Sequence, residues 1–366
     1  MLADTALKLT PLHDIHLALR ARMVPFGGWQ MPLQYEGILA EYQSTRCDAT
    51  IFDTCHMGEF EVEGDPISCG LNQLVTCSLA DMPPLSCRYG LLLNEHGGVI
   101  DDLIVYRKTE NKWMIVVNAS TMENDARQFQ SYLSASAKFE NISHRTGKLD
   151  IQGPQSREVL KNLVPGIERL KYYTFDIFPV LGEEVIVSRT GYTGELGYEI
   201  YFPWERTALL WQEICRSPLA KPAGLGVRDV LRMEMGYSLY GHELDEMITP
   251  LEADLSKFVD FEKDFIGKAA LLRQKAAGPR VKLAGFISSS RRSPRQNYGI
   301  YSPDGTKIGT VTSGTFSPAL NRGIGMGFIN REFGKTQETI FFGQPDERSE
   351  ARLSPRPFYK EGSLKD

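Results

Sequence analysis

The spacing of apolar residues differs between two parts of this chain. Up to about residue 250, runs with helical periodicity alternate with β-type runs, whereas from about 280 short β-type runs are separated by Gly, Pro, Asn and Asp. The second part therefore predicts a separate all-β module of barrel or sandwich type. The predicted helices are 10–22, 37–47, 70–81, 121–134, 204–216 and one that ends at Met235, and the predicted strands are 51–63, 89–93, 99–106, 113–118, 185–189 and one that ends at Phe202.

The predicted strand 99–106 follows two turn glycines and carries two adjacent carboxylates. Because successive side chains on a strand point to opposite faces, we expect that Asp101 and Asp102 do not share a site. The apolar neighbours expected on their two faces are Val99, Leu103 and Val105 for Asp101, and Ile100, Ile104 and Tyr106 for Asp102. An ionised carboxylate among such residues is costly unless it is paired or used. Either both lie in water at the mouth of the hairpin, or a functional site uses one of them.

Composition and charge exclude some classes of function. The chain has 366 residues, 42% of them hydrophobic and 24% charged, which is typical of a globular protein with two or three domains. A net charge of −5 without a basic stripe argues against nucleic-acid binding. With no apolar run near ~18 residues and no secretory signal pattern, we expect neither a membrane span nor export. Scattered cysteines without a CxxC spacing are expected to be reduced thiols of a cytoplasmic protein.

Common catalytic motifs are missing from the sequence. It contains no GxxxxGK[ST], GxSxG or HExxH pattern, so a P-loop, a nucleophile elbow and a zinc-protease site are not predicted. Cys55, beside His56, is the cysteine to consider as a nucleophile, although no family-type cysteine signature surrounds it. No metal is predicted, and the candidate chemistry depends on carboxylates, aromatic rings and arginines in glycine-rich loops.

A pterin-type ring is a ligand that would need such side chains. Its faces are apolar and one edge carries N–H donors, so a carboxylate can accept two hydrogen bonds there while aromatic rings cover the faces. An arginine suits the carboxylate of a glutamate tail. Glu199 with Tyr192 and Tyr198, together with Arg228 at a helix start, would meet these demands. Taken singly, Glu199 could also be an exposed strand residue and Arg228 part of a surface ion pair.

Placed end to end, the sequence motifs resemble those of the aminomethyltransferase (T-protein) family of the glycine cleavage system. The resemblance covers nearly the whole chain, and its specificity comes from the order and spacing of segments that are weak signals individually. The segments are TPLHDIH, ARMVPFGGWQMPLQY, IFDTCHMGEFEVEG, GGVIDDLIVY, IQGPQS, SRTGYTGELGYEI, PAGLGVRDVLRMEMGYSLYG, DEMITPLEADLSKFV, DFIGKAAL and TSGTFSP.

The resemblance implies an α+β fold in which three domains form a clover-leaf ring around a central folate channel. The first domain would be discontinuous, comprising residues 1–54 and 140–250, and would bind folate. Residues 55–139 would be an inserted α+β domain that carries the catalytic aspartate. Residues 251–366 would provide a connecting segment and a C-terminal β-barrel-like domain.

The resemblance also implies a reaction. The methylene carbon of an aminomethyl group, carried on the dihydrolipoyl arm of lipoylated H-protein, passes to tetrahydrofolate and gives 5,10-methylenetetrahydrofolate and ammonia. By position, Asp102 would be the catalytic aspartate, Glu199 the acceptor for the pterin edge and Arg228 the residue that holds the ligand's tail. The other implied folate-site residues are Tyr89, Met57, Asn118, Tyr106, Tyr192, Glu195 and, from a looser match, Tyr359. Tetrahydrofolate is thus the implied co-substrate and H-protein the implied partner, with no metal, nucleic acid or membrane.

Two other interpretations use the same motifs. A folate-dependent demethylase on this scaffold would accept a methyl group from a small sulfonium or amine donor. A non-catalytic folate-binding module would keep the channel without turnover, although the presence of Asp102 argues against it.

Overall fold

A computed structural model describes residues 6–333 and 338–366 of the chain. Within these ranges the chain forms a two-stranded ribbon, a six-stranded sheet, a five-stranded sheet and a closed barrel of six strands. No helix in the described ranges has the length and apolar character needed to cross a membrane. The α-helices are α1 (His13–Ala18), α2 (Ile38–Cys47), α3 (Leu71–Leu74), α4 (Met122–Tyr132), α5 (Ser156–Leu160), α6 (Thr207–Ile214), α7 (Leu225–Met235) and α8 (Lys268–Ala277).

The strands form the ribbon, the two sheets and the barrel, and those of the barrel confirm the predicted change to an all-β module. They are β1 (Arg22–Phe26), β2 (Trp29–Gln34), β3 (Ala49–Asp53), β4 (Gly58–Glu63), β5 (Ser86–Leu93), β6 (Val99–Arg107), β7 (Lys112–Val117), β8 (Lys138–Asn141), β9 (Thr146–Gln152), β10 (Phe175–Val180), β11 (Glu183–Ser188), β12 (Gly197–Pro203), β13 (Ala220–Pro222), β14 (Val281–Ser288), β15 (Gly299–Tyr301), β16 (Lys307–Ser317), β17 (Arg322–Asn330), β18 (Thr339–Gln344) and β19 (Glu347–Ser354).

The six-stranded sheet has the order β10-β11-β12-β9-β3-β13 and is antiparallel except where β13 joins β3. One face packs against α5 and α6 through a core that includes Leu149, Ile151 and Trp211. On the other face, Phe52 packs with residues of α2 and α7 such as Tyr42 and Leu231. The sheet is therefore covered on both sides, and polar residues on the second face lie inside the protein.

The five-stranded sheet, ordered β5-β6-β7-β4-β8, lies against the six-stranded sheet. One of its faces packs on α3 and α4, where Phe129 and Leu71 are fully buried. Its other face contributes Tyr106 and Met114, which pack with Ile186 of the six-stranded sheet. This layer of contacts joins the two sheets, so strand ends of both reach the same interior region.

The barrel has the strand order β14-β17-β16-β15-β18-β19 and closes because β19 pairs with β14. Its own core contains Phe286 and Phe342. A second cluster joins it to the rest of the chain, where Met233 of α7 packs against Met326 and Phe358. The closed six-stranded barrel confirms the predicted all-β tail and the α+β fold class. The predicted domain boundaries remain a prediction, and residues 1–5 and 334–337 lie outside the described residues.

The prediction of a single strand over residues 51–63 is wrong, because the segment forms two strands. β3 ends at Asp53 and belongs to the six-stranded sheet, whereas β4 begins at Gly58 in the five-stranded sheet. Between them the carboxylate of Asp53 accepts a 2.9 Å hydrogen bond from the backbone N–H of Cys55, which stabilises the turn. An apolar run followed by alternation therefore marked a change from a fully buried strand to another strand, not one continuous element.

Two predicted helices are shorter than the sequence pattern indicated. Of the predicted helix 10–22, only the residues of α1 are helical, because the chain enters strand β1 at Arg22. Of the predicted helix 70–81, only the residues of α3 are helical, because Val75 forms a β-bridge with Leu92. In both cases pairing with another segment outweighs the local preference for a helix.

Candidate functional site

A cavity of about 1580 Å³ opens where the two sheets, helix α7 and the barrel meet. Both sheets contribute polar side chains to its wall, and the barrel contributes residues of β16. Seven of the ten residues assigned by resemblance line it: Asp102, Glu199, Arg228, Tyr89, Met57, Asn118 and Tyr192. The structure therefore brings together most of the predicted site, which the sequence spreads over more than 170 residues (57 to 228).

Asp102 and Asp101 lie on different sides of strand β6 but have a common hydrogen-bond donor. Asp102 lines the cavity and is half-buried, whereas Asp101 is fully buried away from it. The side-chain amide of Asn118 donates to Oδ1 of Asp101 at 2.8 Å and to Oδ1 of Asp102 at 2.9 Å. The backbone N–H of Asn118 also donates to Asp101 Oδ2, at 2.9 Å. Asp102 lines the cavity and Asp101 does not, as the alternation of side chains predicted, although Asn118 links the two carboxylates; the alternative that both lie in water is wrong.

A β-bulge in β6 explains why strict alternation does not give all the correct neighbours of Asp101 and Asp102. Leu92 pairs with Asp101 and Leu93 with Val99, so Ile100 is an extra residue in β6. Ile100 consequently belongs to the same core cluster as Leu103, the neighbour expected for Asp101. The bulge occurs immediately before the aspartate pair and re-aims the side chains there, which strict alternation does not predict.

The pKa of Asp102 is raised to about 7, first by burial and then by the negative charge of Asp101. Hydrogen bonds to its carboxylate from Tyr89 and Asn118 oppose that rise. The Tyr89 hydroxyl donates to Asp102 Oδ2 at 3.0 Å. Behind the pair, burial and the charge of Asp101 raise the pKa of Asp125 on α4 to about 10. Asp102 is thus a carboxylate that changes its charge near neutral pH on the wall of a cavity.

Glu199, on β12, is 4% exposed and lies beside a buried lysine. The Nζ atom of Lys148 on β9 is 2.5 Å from Glu199 Oε1, and the hydroxyl of Thr190 donates to Oε2 at 2.5 Å. Burial raises the pKa of Glu199, but the Lys148 charge and the hydrogen bonds from Lys148 and Thr190 outweigh it, so the pKa lies below its ordinary value. Glu199 is therefore an ionised carboxylate in the cavity wall, and the exposed-strand alternative is wrong.

Arg228, in the first turn of α7, pairs with a fully buried aspartate. Its Nη1 atom is 2.5 Å from Asp150 Oδ2, and its guanidinium lies 5.2 Å from the ring centroid of Tyr192. Asp150 is directly opposite Glu199 in the β9–β12 register. Arg228 thus lies on the same part of the wall as Glu199, and the surface ion-pair alternative is wrong.

Three residues assigned by resemblance do not line the cavity, which corrects their expected placement. Tyr106 is fully buried behind Glu199, with its hydroxyl 2.8 Å from that of Tyr201. Glu195 accepts a 2.6 Å hydrogen bond from Arg46, and Tyr359 packs its ring over the same guanidinium at 4.0 Å. The resemblance assigned these residues to the folate site, but their side chains take part in contacts inside the protein.

Tyr198, considered from the sequence as a cover for the pterin face, is also directed elsewhere. It is fully buried in the core between the six-stranded sheet and its helices. Because Tyr198 precedes Glu199 on the same strand, the two side chains point to opposite faces of the sheet. Tyr192 does line the cavity, and it stacks on Tyr237 with ring centroids 5.6 Å apart.

Sequence reasoning missed Lys148, which lines the cavity and is 2% exposed. A signal for it was present in strand β9, where Lys148, Asp150 and Gln152 alternate with the core residues Leu149 and Ile151. A strand buried on both faces normally shows apolar residues throughout. Regular polar positions in such a strand indicate a polar surface inside the protein.

The interpretation of Cys55 as a nucleophile is not supported by its surroundings. Its side chain is 1% exposed and belongs to the core of the six-stranded sheet. Burial, followed by the charge of Asp53, raises the pKa of this thiol well above its ordinary value, which disfavours the thiolate. Within residues 6–333 and 338–366, no group of three or more His, Cys, Asp or Glu side chains is arranged to hold a metal ion.

The fold and the cavity define a multidomain α+β protein with a C-terminal barrel and an interior ligand site. Residues 12–263 match the description "GCVT N-terminal domain", and residues 282–360 match "Glycine cleavage T-protein C-terminal barrel domain". The chain therefore belongs to the glycine cleavage T-protein family, which confirms the family predicted from the sequence motifs.

Similar proteins cover the chain almost completely. An aminomethyltransferase of Desulforamulus reducens is 40% identical over 97% of this chain and 98% of its own length. An aminomethyltransferase of Pseudothermotoga lettingae is 41% identical over 98% of this chain and 99% of its own. The crystal structure of glycine cleavage system aminomethyltransferase T from Bartonella henselae has a TM-score of 0.92 at 30% identity, covering 97% of this chain and 99% of that one. These similarities support the fold and the transferase class predicted from the sequence.

Proposed function

We propose that this chain is an aminomethyltransferase that uses tetrahydrofolate as its acceptor. The donor is the aminomethyl group on the dihydrolipoyl sulfur of H-protein. The methylene carbon loses its bonds to that sulfur and to the amine nitrogen and forms two bonds to nitrogens of tetrahydrofolate. The products are 5,10-methylenetetrahydrofolate, ammonia and the dihydrolipoyl arm with its free thiol.

The observation that carries this proposal is the placement of Asp102. As a C–S or C–N bond to the transferred carbon breaks, that carbon becomes iminium-like and positively charged. A fixed carboxylate beside it lowers the energy of the developing charge and orients the proton that the acceptor amine gives up. Asp102 meets the need for fixed geometry, because Tyr89 and Asn118 hold its two oxygens at 3.0 and 2.9 Å.

The cavity wall also suits a reduced folate. Glu199 presents an ionised, buried carboxylate as an acceptor for the N–H edge of a pterin. The stacked Tyr192 and Tyr237 rings and the Tyr89 ring, which all line the cavity, supply flat apolar surface for the ring faces. At about 1580 Å³ the cavity has room for a folate together with the end of a donor arm.

Arg228 is proposed as a ligand contact, with one constraint from its position. Its Nη1 atom is occupied by Asp150, the cross-strand neighbour of Glu199. A guanidinium has five N–H donors, so others remain for an anionic or carbonyl oxygen of the ligand. If Arg228 holds the glutamate tail, as the resemblance implies, the bound folate must be bent to bring its tail toward the pterin end.

Lipoylated H-protein is the proposed partner, and the cytoplasm the proposed setting. All six cysteines are free thiols, which suits a reducing compartment. Cys55, Cys69, Cys77 and Cys87 are buried, so their reduced state is compatible with packing.

The decisive experiment incubates the purified protein with aminomethylated H-protein and tetrahydrofolate. We expect 5,10-methylenetetrahydrofolate and ammonia to appear in equal amounts. In parallel reactions, a sulfonium and an N-methylated amine replace the loaded H-protein, and we expect neither to be demethylated. Turnover with a free methyl donor and none with H-protein would instead identify a demethylase, and folate binding without any turnover would identify a binding module.

A further inference from the structure

Lys148 is a buried cation in the cavity wall to which the resemblance assigned no role. It lies on β9 diagonally across from Glu199 on β12, since its direct cross-strand neighbour is Tyr201. Its Nζ atom is 2.5 Å from Glu199 Oε1 and 3.3 Å from the Met57 sulfur. An ammonium carries three N–H donors. Among the described residues these contacts account for two of them, and Lys148 lines the cavity, so one N–H is available to a ligand.

Glu199 is the carboxylate in contact with Lys148, whereas Asp150, which also interacts with the Lys148 charge, pairs directly with Arg228. Glu59, on β4 of the five-stranded sheet, is fully buried, and neither of its carboxylate oxygens has a hydrogen-bond partner within the described part of the chain. Burial raises the pKa of Glu59 well above its ordinary value, which disfavours the charged form of this side chain. Lys148 and Glu199 therefore form a neutral pair that can accept a neutral ring without leaving an unpaired buried charge.

The edge of a pterin has a fixed order of hydrogen-bonding groups. The 2-amino group and N3–H are adjacent donors, and the C4 carbonyl oxygen beside them is an acceptor. A carboxylate can accept from both donors, but it repels the carbonyl oxygen. The carbonyl needs a separate donor next to the carboxylate. Lys148, Thr190 and Tyr106 all donate to Glu199, and of these three Lys148 lines the cavity.

We infer that Lys148 determines specificity at the pterin edge by donating a hydrogen bond to the C4 carbonyl oxygen while Glu199 accepts from N3–H and the 2-amino group. This inference deepens the proposed function and rests on it. It assigns this chain a site for 4-oxo pterins and predicts discrimination against 4-amino rings. In a 4-amino ring the ammonium faces a donor, and N3 has become an acceptor facing the carboxylate.

The test measures the affinities of folic acid and of aminopterin, which have the 4-oxo and the 4-amino ring on the same tail. It is made at a pH at which the diamino ring is neutral. We expect the wild type to bind folic acid at least tenfold more tightly than aminopterin. In Lys148→Met this preference should fall by about tenfold, the effect of one charge-assisted hydrogen bond. Lys221→Met, an exposed lysine on β13 of the same sheet, is the matched control and should keep the wild-type preference.

Other outcomes contradict the inference in different ways. If Lys148→Met lowers the affinity for both ligands by the same factor, Lys148 acts only by keeping Glu199 ionised. If Arg228→Gln rather than Lys148→Met abolishes the preference, Arg228 is the donor to C4. If the Lys148 variant does not fold, the wild type alone decides, because equal affinity for the two ligands rules out a donor at C4. A wild type that binds neither ligand nor a reduced folate refutes the proposed function itself.

Discussion

The Tyr89 hydroxyl donates a 3.0 Å hydrogen bond to Oδ2 of Asp102. This contact joins the two strands of one hairpin, β5 and β6, at the cavity wall. It holds the carboxylate in one orientation and favours its ionised form, in opposition to the burial that raises its pKa. A small change at Tyr89 should therefore alter the charge state of Asp102 without removing the carboxylate.

Tyr89→Phe should shift the pH dependence of activity upward. The ionised form of Asp102 stabilises the positive transition state, so activity rises with pH as this group deprotonates at about pH 7. Loss of the Tyr89 hydroxyl removes a hydrogen bond to the ionised form and raises the pKa of Asp102 further. The midpoint of the acidic limb of kcat/KM should rise by roughly half to one pH unit. An unchanged midpoint with reduced kcat would mean that Tyr89 acts on the ligand and not through Asp102.

Asp101→Asn should shift the same limb in the opposite direction. The negative charge of Asp101 raises the pKa of Asp102, so removing that charge lowers it, and the midpoint should fall by roughly one pH unit. Activity at pH 8 should be reduced less than in variants of Asp102, because Asp101 does not line the cavity. The new amide also presents a donor to those of Asn118, so we expect a loss of stability of about 1–3 kcal/mol. A rise of the midpoint would contradict the coupling between the two aspartates.

Glu199→Gln should weaken folate binding by roughly ten- to a hundredfold, since it replaces one charged acceptor with an amide. Glu195→Gln is the matched control. Glu195 is also buried and paired with a cation, Arg46, but it lies outside the cavity. Its replacement should lower thermal stability and leave the folate Kd within about twofold. Calorimetric titration with a stable reduced folate measures the Kd of both variants. Equal losses of affinity in the two variants would show that Glu199 contributes through packing alone.

Glu59→Gln should stabilise the protein at alkaline pH. Burial holds the pKa of Glu59 in the folded protein well above its ordinary value, whereas the unfolded chain ionises it at that ordinary, lower pKa. Unfolding therefore releases a proton above that lower pKa, and wild-type stability falls as pH rises from there toward the folded pKa. The glutamine variant lacks this loss, so its stability relative to the wild type should be greater at pH 8 than at pH 4.5. Denaturant unfolding at both pH values measures the gain, and the exposed Glu63→Gln on the same strand should show no such difference.

The sequence predicted the acidic hairpin because its carboxylates are polar exceptions in an apolar strand, and the resemblance assigned Glu199 to the site, where it does line the cavity. It did not predict the β-bulge at Ile100, since a bulge depends on the partner strand, here Leu92 and Leu93. Lys148 was missed because its place in the site depends on its contact with Glu199. That contact exists because strands β9 and β12 pair in the folded protein, which the sequence does not show. The resemblance assigned Tyr106 and Glu195 to the site, but it does not specify which layer of the interior each side chain occupies.

In the proposed reaction Asp102 acts on the transferred carbon and not on the binding of folate. The most direct measurement compares Asp102→Asn with the wild type in single-turnover transfer from aminomethylated H-protein and in equilibrium binding of a reduced folate. We expect the transfer rate to fall at least a hundredfold, or about 2.7 kcal/mol, while the folate Kd stays within several-fold. Near-normal transfer, or a loss of affinity as large as the loss of rate, would contradict it.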